Sequence, residues 1–102
     1  MEQSVNERLR EYQERSNHRE STDEILDRAV RWFVELHGTM PAAVVTFGHV
    51  DDFRSWLIKG RSANSANTYL SLLKAFFGWM FKRRYIENDP FNGVNLFPAT
   101  ES

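Results

Sequence analysis

The stretch from Ser62 to Pro90, SANSANTYLSLLKAFFGWMFKRRYIENDP, constrains the fold more than any other part of the chain. Tyr69, Leu72, Leu73, Phe76, Phe77 and Met80 recur at helical spacing, and Leu70, Trp79 and Phe81 widen the stripe. An apolar arc that broad requires burial against more than one neighbour. Ser65 reads as the N-cap, with Thr68 three residues later. Asn67, Ser71, Lys74 and Gly78 run down the opposite face. Lys82, Arg83 and Arg84 suit the negative end of the helix dipole, and Asn88-Asp89-Pro90 supplies a stop.

The remaining periodic segments also read as helices. A first is expected from about Ser4 to about Arg19, with a thin stripe of Val5, Leu9 and Tyr12 and a start prone to fraying. A second is expected after Ser21 or Thr22, either of which can act as N-cap. Its apolar face is Ile25, Leu26, Ala29, Val30, Phe33 and Leu36, with Trp32 at the margin, and Gly38 closes it. Residues 39–45 read as a loop containing Pro41. A third helix is capped by Thr46, buries Val50, Phe53, Trp56 and Leu57, and ends at Gly60. After Pro90, Phe91, Val94, Leu96 and Phe97 are apolar without a period and are expected to fold back on the bundle. No segment alternates at period two for long. The expectation is an all-α fold of four helices joined by short connections.

A chain of 102 residues corresponds to one domain. Eight Phe, three Trp and three Tyr supply a core without staples, and the absence of Cys excludes disulfides and thiolate metal sites. No apolar run approaches the roughly 20 residues of a membrane helix, and the charged N-terminus does not read as a secretory signal. The expected location is the cytoplasm. The formal net charge is -1, but its distribution is uneven. Residues 59–84 hold six bases (Lys59, Arg61, Lys74, Lys82, Arg83, Arg84) and no acid.

Catalytic signatures are lacking. His18, His37 and His49 are far apart in sequence and in no ligand spacing, so neither a metal nor another cofactor is expected. Asp51 and Asp52 are helical neighbours that do not face each other. Tyr12, Tyr69 and Tyr85 have no activating constellation. The chain by itself reads as non-enzymatic. The basic segment admits two readings: a solvated helix face, or a phosphate-binding surface. The second gains from Ser62, Asn64, Ser65, Asn67 and Thr68, which place short polar groups at a helix N-terminus, where unpaired N–H groups also hold phosphate. Asn67 and Lys74 would then point at a groove.

The order of these signals resembles the N-terminal, SAM-like core-binding domain of tyrosine recombinases (phage integrases). Ser65-x-x-Thr68, Leu73 with Phe76-Phe77, and Ile86 followed by Asn88-Asp89-Pro90 match the family's last helix, with Asp89 departing from the usual Asn-Pro. Thr46, Val50, Phe53 and Leu57 match its third helix. Leu26, Val30, Phe33 and Leu36 match its second, with Leu26 where Tyr is common. The resemblance covers about residues 5–96. It implies a four-helix SAM-like orthogonal bundle over residues 1–96, with 97–102 beginning an interdomain linker. It also implies a DNA-binding half-clamp that faces double-stranded DNA with its second and fourth helices. That adds Ser21, Thr22, Arg28 and Arg31 to Arg61, Ser62, Asn64, Ser65, Asn67, Thr68, Ser71 and Lys74 as expected DNA contacts. The catalytic residues belong to a separate domain, and protomers meet in a tetramer on DNA. A helical protein-interaction module without nucleic acid is the alternative.

Overall fold

A computed structural model describes residues 4–17 and 19–98 of the chain. Among them are four α-helices: α1 (Val5–Arg15), α2 (Glu20–His37), α3 (Phe47–Ile58) and α4 (Ala63–Lys82). One turn of 3₁₀ helix, Ala42–Val44, lies within the segment expected to be a loop. No strand occurs among the described residues; Ser4 and Pro41 form an isolated antiparallel bridge.

The helix starts follow from local chemistry. Ser4 Oγ accepts from the Glu7 N–H, while the Glu7 carboxylate accepts from the Ser4 N–H, a complete capping box. The Val5 N–H also donates to the Met40 carbonyl at 3.3 Å. The start expected to fray is thus capped and tied to the α2–α3 connection. The other end is shorter than expected: α1 stops at Arg15, with Ser16 as C-cap. Residue 18 lies outside the described residues. Thr46 caps α3 as expected, with the His49 ring taking the place of the usual Glu.

Two expected caps are displaced. The N-cap of α2 is Arg19, with no side-chain cap bond, so Ser21 and Thr22 lie inside the first turn. In the first turns of α2 the Asp23 carbonyl and the Asp27 carboxylate accept from the Gln13 amide of α1. The N-cap of α4 is Ser62 rather than Ser65; its Oγ accepts from the Ser65 N–H at 3.2 Å. Ala66, in the first turn of the earlier start, is fully buried.

Helix α4 is the centre of the bundle and packs against α1, α2 and α3, most extensively against α2. Leu70, Leu73, Phe76, Phe77 and Met80 are buried on it, whereas Tyr69, Leu72 and Trp79 are half-buried. Phe81, expected to widen the stripe, is 45% exposed, and Leu36 of α2 is 41% exposed. Leu26, Ala29, Val30 and Phe33 of α2 meet Val50, Phe53 and Leu57 of α3 in one core. Tyr12 lies against Phe76 (5.2 Å between ring centroids) and Trp79 (5.1 Å). The segment after α4 folds back: Ile86, Phe91 and Val94 are buried, and Phe91 packs on Phe77 at 5.3 Å. Leu96 remains 42% exposed. No polar or charged residue is buried among the described residues.

The end of α4 has an unusual residue at a defined position. The Arg84 N–H donates to the Phe81 carbonyl and the Tyr85 N–H to the Met80 carbonyl, the paired bonds of a Schellman motif. Arg84 therefore adopts φ 64°, the left-handed conformation normally left to glycine. Trp79 and Tyr85 meet edge to face across this turn, at 5.6 Å.

Two stability measurements test this packing. Phe76→Ala, which empties a fully buried position, is expected to cost about 3–5 kcal/mol in denaturant unfolding. Arg84→Gly relieves the left-handed Cβ and is expected to stabilise the fold by about 1 kcal/mol in the same assay.

Candidate nucleic-acid interface

The first turns of α2 and α4 flank an open groove of about 390 Å³, lined by Thr22, Ile25, Asn67, Thr68, Ser71 and Leu72. An α-helix leaves its first N–H groups without intrahelical partners. Ser62 takes that of Ser65, and those of Ala63 and Asn64 remain at the helix mouth. Asn64, Ser65, Thr68, Ser71 and Lys74 are exposed along the outer surface of α4, and the Thr68 hydroxyl donates to the Asn64 carbonyl. Ser21 is exposed and Thr22 half-buried on the facing turn of α2.

Beside this groove runs an aromatic row that crosses three helices. Trp56 of α3 meets Trp32 of α2 at 5.6 Å, and Trp32 meets Tyr69 of α4 at 4.9 Å, both edge to face. Two guanidiniums are attached to it. Arg61 lies over Trp32 (4.3 Å to the ring centroid) and Trp56 (4.9 Å), and its Nη1 donates to the Leu57 carbonyl. The Arg28 Nη1 donates to the Tyr69 hydroxyl at 3.4 Å. Stacking on indole holds a guanidinium in a fixed plane while its outer N–H edge still donates. The sequence pattern put Trp32 at the margin of α2 and Arg61 in a connection. Which cation stacks on which ring depends on the packing of α2 against α3, and no local signal carries that.

The expected contact residues do not all gather here. Thr22, Arg28, Thr68 and Ser71 share the α2/α4 side, with Arg61 attached through the aromatic row. Arg31 instead lines a groove between α1 and α2, with Arg10, Gln13 and Asp27. Asn67 stands in the α2/α4 groove, but its side chain is engaged. Its Nδ2 donates to the Phe97 carbonyl and its Oδ1 accepts from the Phe97 N–H, both at 2.8 Å.

The cations at the site form no ion pair among the described residues. The ion pairs among the described residues are Arg8–Glu11 and Arg15–Glu11, both at 3.2 Å. None of the six bases between Lys59 and Arg84 forms one. Among the described residues no group of three or more His, Asp or Glu is placed to hold a metal ion, and no helix is long and apolar enough to cross a membrane.

A second polar cluster lies at the other end of α4. The Tyr85 hydroxyl donates to Glu11, the Arg83 Nε reaches the same hydroxyl at 3.3 Å, and the Arg8 guanidinium covers the Tyr85 ring at 3.5 Å. The Tyr85 hydrogen bond, helped by Arg8 and Arg15, holds the Glu11 carboxyl below its ordinary 4.5 against some desolvation. The same Tyr85 contact holds the Arg83 guanidinium above its usual range. This cluster fastens α1 to the turn after α4.

The family model described as phage integrase, N-terminal SAM-like domain, matches residues 6–87. That span is most of the chain, and the protein belongs to this family, whose all-α bundle the four helices form. No curated protein and no solved structure matches the sequence.

Because the Glu11 carboxyl is depressed in the folded chain, its attachment to Tyr85 stabilises above the unfolded value and is lost as pH falls through the lower, folded one. Carboxyl NMR is expected to give a Glu11 midpoint below 4.5. Tyr85→Phe removes the leading cause and is expected to move that midpoint upward.

Proposed function

We propose that the chain is the DNA-binding half-clamp of a site-specific tyrosine recombinase, holding duplex DNA for strand exchange carried out by a separate catalytic domain. The carrying observation is the polar α2/α4 groove, bordered by cations that form no ion pair among the described residues. Fixed cations beside short hydroxyl and amide groups grip phosphate oxygens without reading sequence. In this reading Lys74, Arg28 and Arg61 supply charge. Ser62, Asn64, Ser65, Thr68 and Ser71 supply hydrogen bonds from α4, and Ser21 and Thr22 supply them from α2. Arg31, on the α1 side of α2, is peripheral, and Asn67 contributes groove shape rather than a bond. Contacts between protomers assembled on DNA complete the family's implied arrangement.

A different surface favours a second reading, a helical protein-interaction module. Val44 (46%) and Phe47 (53%) are exposed, and Phe47 borders a cleft of about 660 Å³ with Arg84, Asn88 and Asp89. The two readings place a partner on different parts of the molecule.

Titration of the chain with a fluorescent duplex at low salt is expected to give a dissociation constant on the order of 10⁻⁴–10⁻⁶ M, weakening steeply as salt is added. Lys74→Gln and Arg28→Gln are each expected to flatten the salt slope by about one unit. Amide shift mapping should then move signals of residues 62–74 and the start of α2. A flat titration with the fold intact, or shifts confined to Val44 and Phe47, would overturn the DNA reading.

A further inference from the structure

Residues 95–98 have little burial to hold them. Among the described residues Val94 is the last buried one; Asn95, Leu96 and Pro98 are exposed, and Phe97 is half-buried. Ordering a backbone residue costs about 1–2 kcal/mol, which apolar contact usually offsets. In this segment polar side chains from two helices take that role. The Asn67 amide of α4 satisfies both backbone groups of Phe97, its Nδ2 donating to the carbonyl and its Oδ1 accepting from the N–H. Arg54 of α3 donates from Nε to the Asn95 carbonyl at 2.8 Å and places its guanidinium 4.0 Å from the Phe97 ring centroid.

Asn suits this task better than its neighbours in chemistry. Its amide carries one donor and one acceptor group at the spacing of a backbone pair, whereas Asp at neutral pH carries only acceptors. The proline at position 98 reinforces the effect. Pro98 has a fixed φ and no N–H, and a residue preceding proline is confined to extended conformations. The direction set at Phe97 therefore carries into Pro98.

We propose that Asn67 is a chain clamp: together with Arg54 it fixes the direction in which the polypeptide leaves the bundle. Its place in the sequence, between Ser65 and Thr68 at the mouth of α4, suggests a phosphate contact, but its hydrogen-bonding capacity is directed at the chain's own backbone. The clamp needs no ligand and stands whether or not the α2/α4 groove takes DNA.

The test is amide exchange and ¹⁵N relaxation on the whole chain. In Asn67→Ala, protection of the Phe97 amide is expected to fall roughly tenfold, as loss of about one net hydrogen bond implies. Order parameters of Asn95, Leu96 and Phe97 should drop, while core amides of α2 and α4 keep wild-type values. Asn67→Asp, which retains the acceptor and loses the donor, should fall between. Arg54→Lys, which removes the Nε bond and the planar stack, should loosen the same residues and provides the test should Asn67→Ala not fold. Wild-type protection of Phe97 in a folded Asn67→Ala or Arg54→Lys variant would overturn the proposal. So would a loss spread evenly over the chain, since a purely structural role for these side chains would lower all amides together.

Discussion

The structure depends on burial of the broad apolar arc of α4. That arc is too wide for one partner, so α1, α2 and α3 each cover part of it, and the segment after Pro90 returns to cover more. Burial on this scale supplies most of the favourable free energy of a small domain. It also decides where polar groups go. With no polar residue buried among the described residues, the Asn, Ser, Thr and Lys side chains of α4 stay at least partly exposed along a strip of its surface. The phosphate-binding reading and the chain clamp both draw on that strip.

The surface around the groove shows how a near-neutral chain can present a cationic face. Among the described residues the bases between Lys59 and Arg84 form no ion pair, and Glu11, which reaches Arg83 through the Tyr85 hydroxyl, is paired with two arginines of its own helix. The aromatic row of Trp56, Trp32 and Tyr69 then holds Arg61 over its two indoles and Arg28 at its tyrosine. Net charge averages this separation away; position along the chain retains it.

Much of the fold was legible because the signals were local. The Thr46 cap, the Gly38 stop and the α4 stripe are each set by a few neighbouring residues, and the structure reproduces them. Where two local candidates competed, tertiary packing chose between them. Ser62 and Ser65 are both good caps, and the helix starts at the earlier one, with Ala66 of its first turn in the core. Ser21 and Thr22 are better caps than Arg19, yet α2 begins ahead of them, where its first turns meet Gln13 of α1. The candidate site was half legible for the same reason. Residue type and charge revealed the polar mouth of α4. The engagement of Asn67 with Phe97 and of Arg61 with two indoles joins residues distant in sequence, and periodicity is silent about such pairs.

Helix α1 is mostly polar, yet its Tyr12 closes the bundle over Phe76 and Trp79. Its buried positions are Val5, Leu9 and Tyr12. Beyond those side chains, and beyond Glu7, Arg8, Glu11 and Gln13, which cap or fasten the helix, the exposed positions Asn6, Arg10 and Glu14 carry little constraint. Relatives can therefore recolour that outer surface, changing its charge or shape to suit different neighbours, while the α4 core beneath stays as it is.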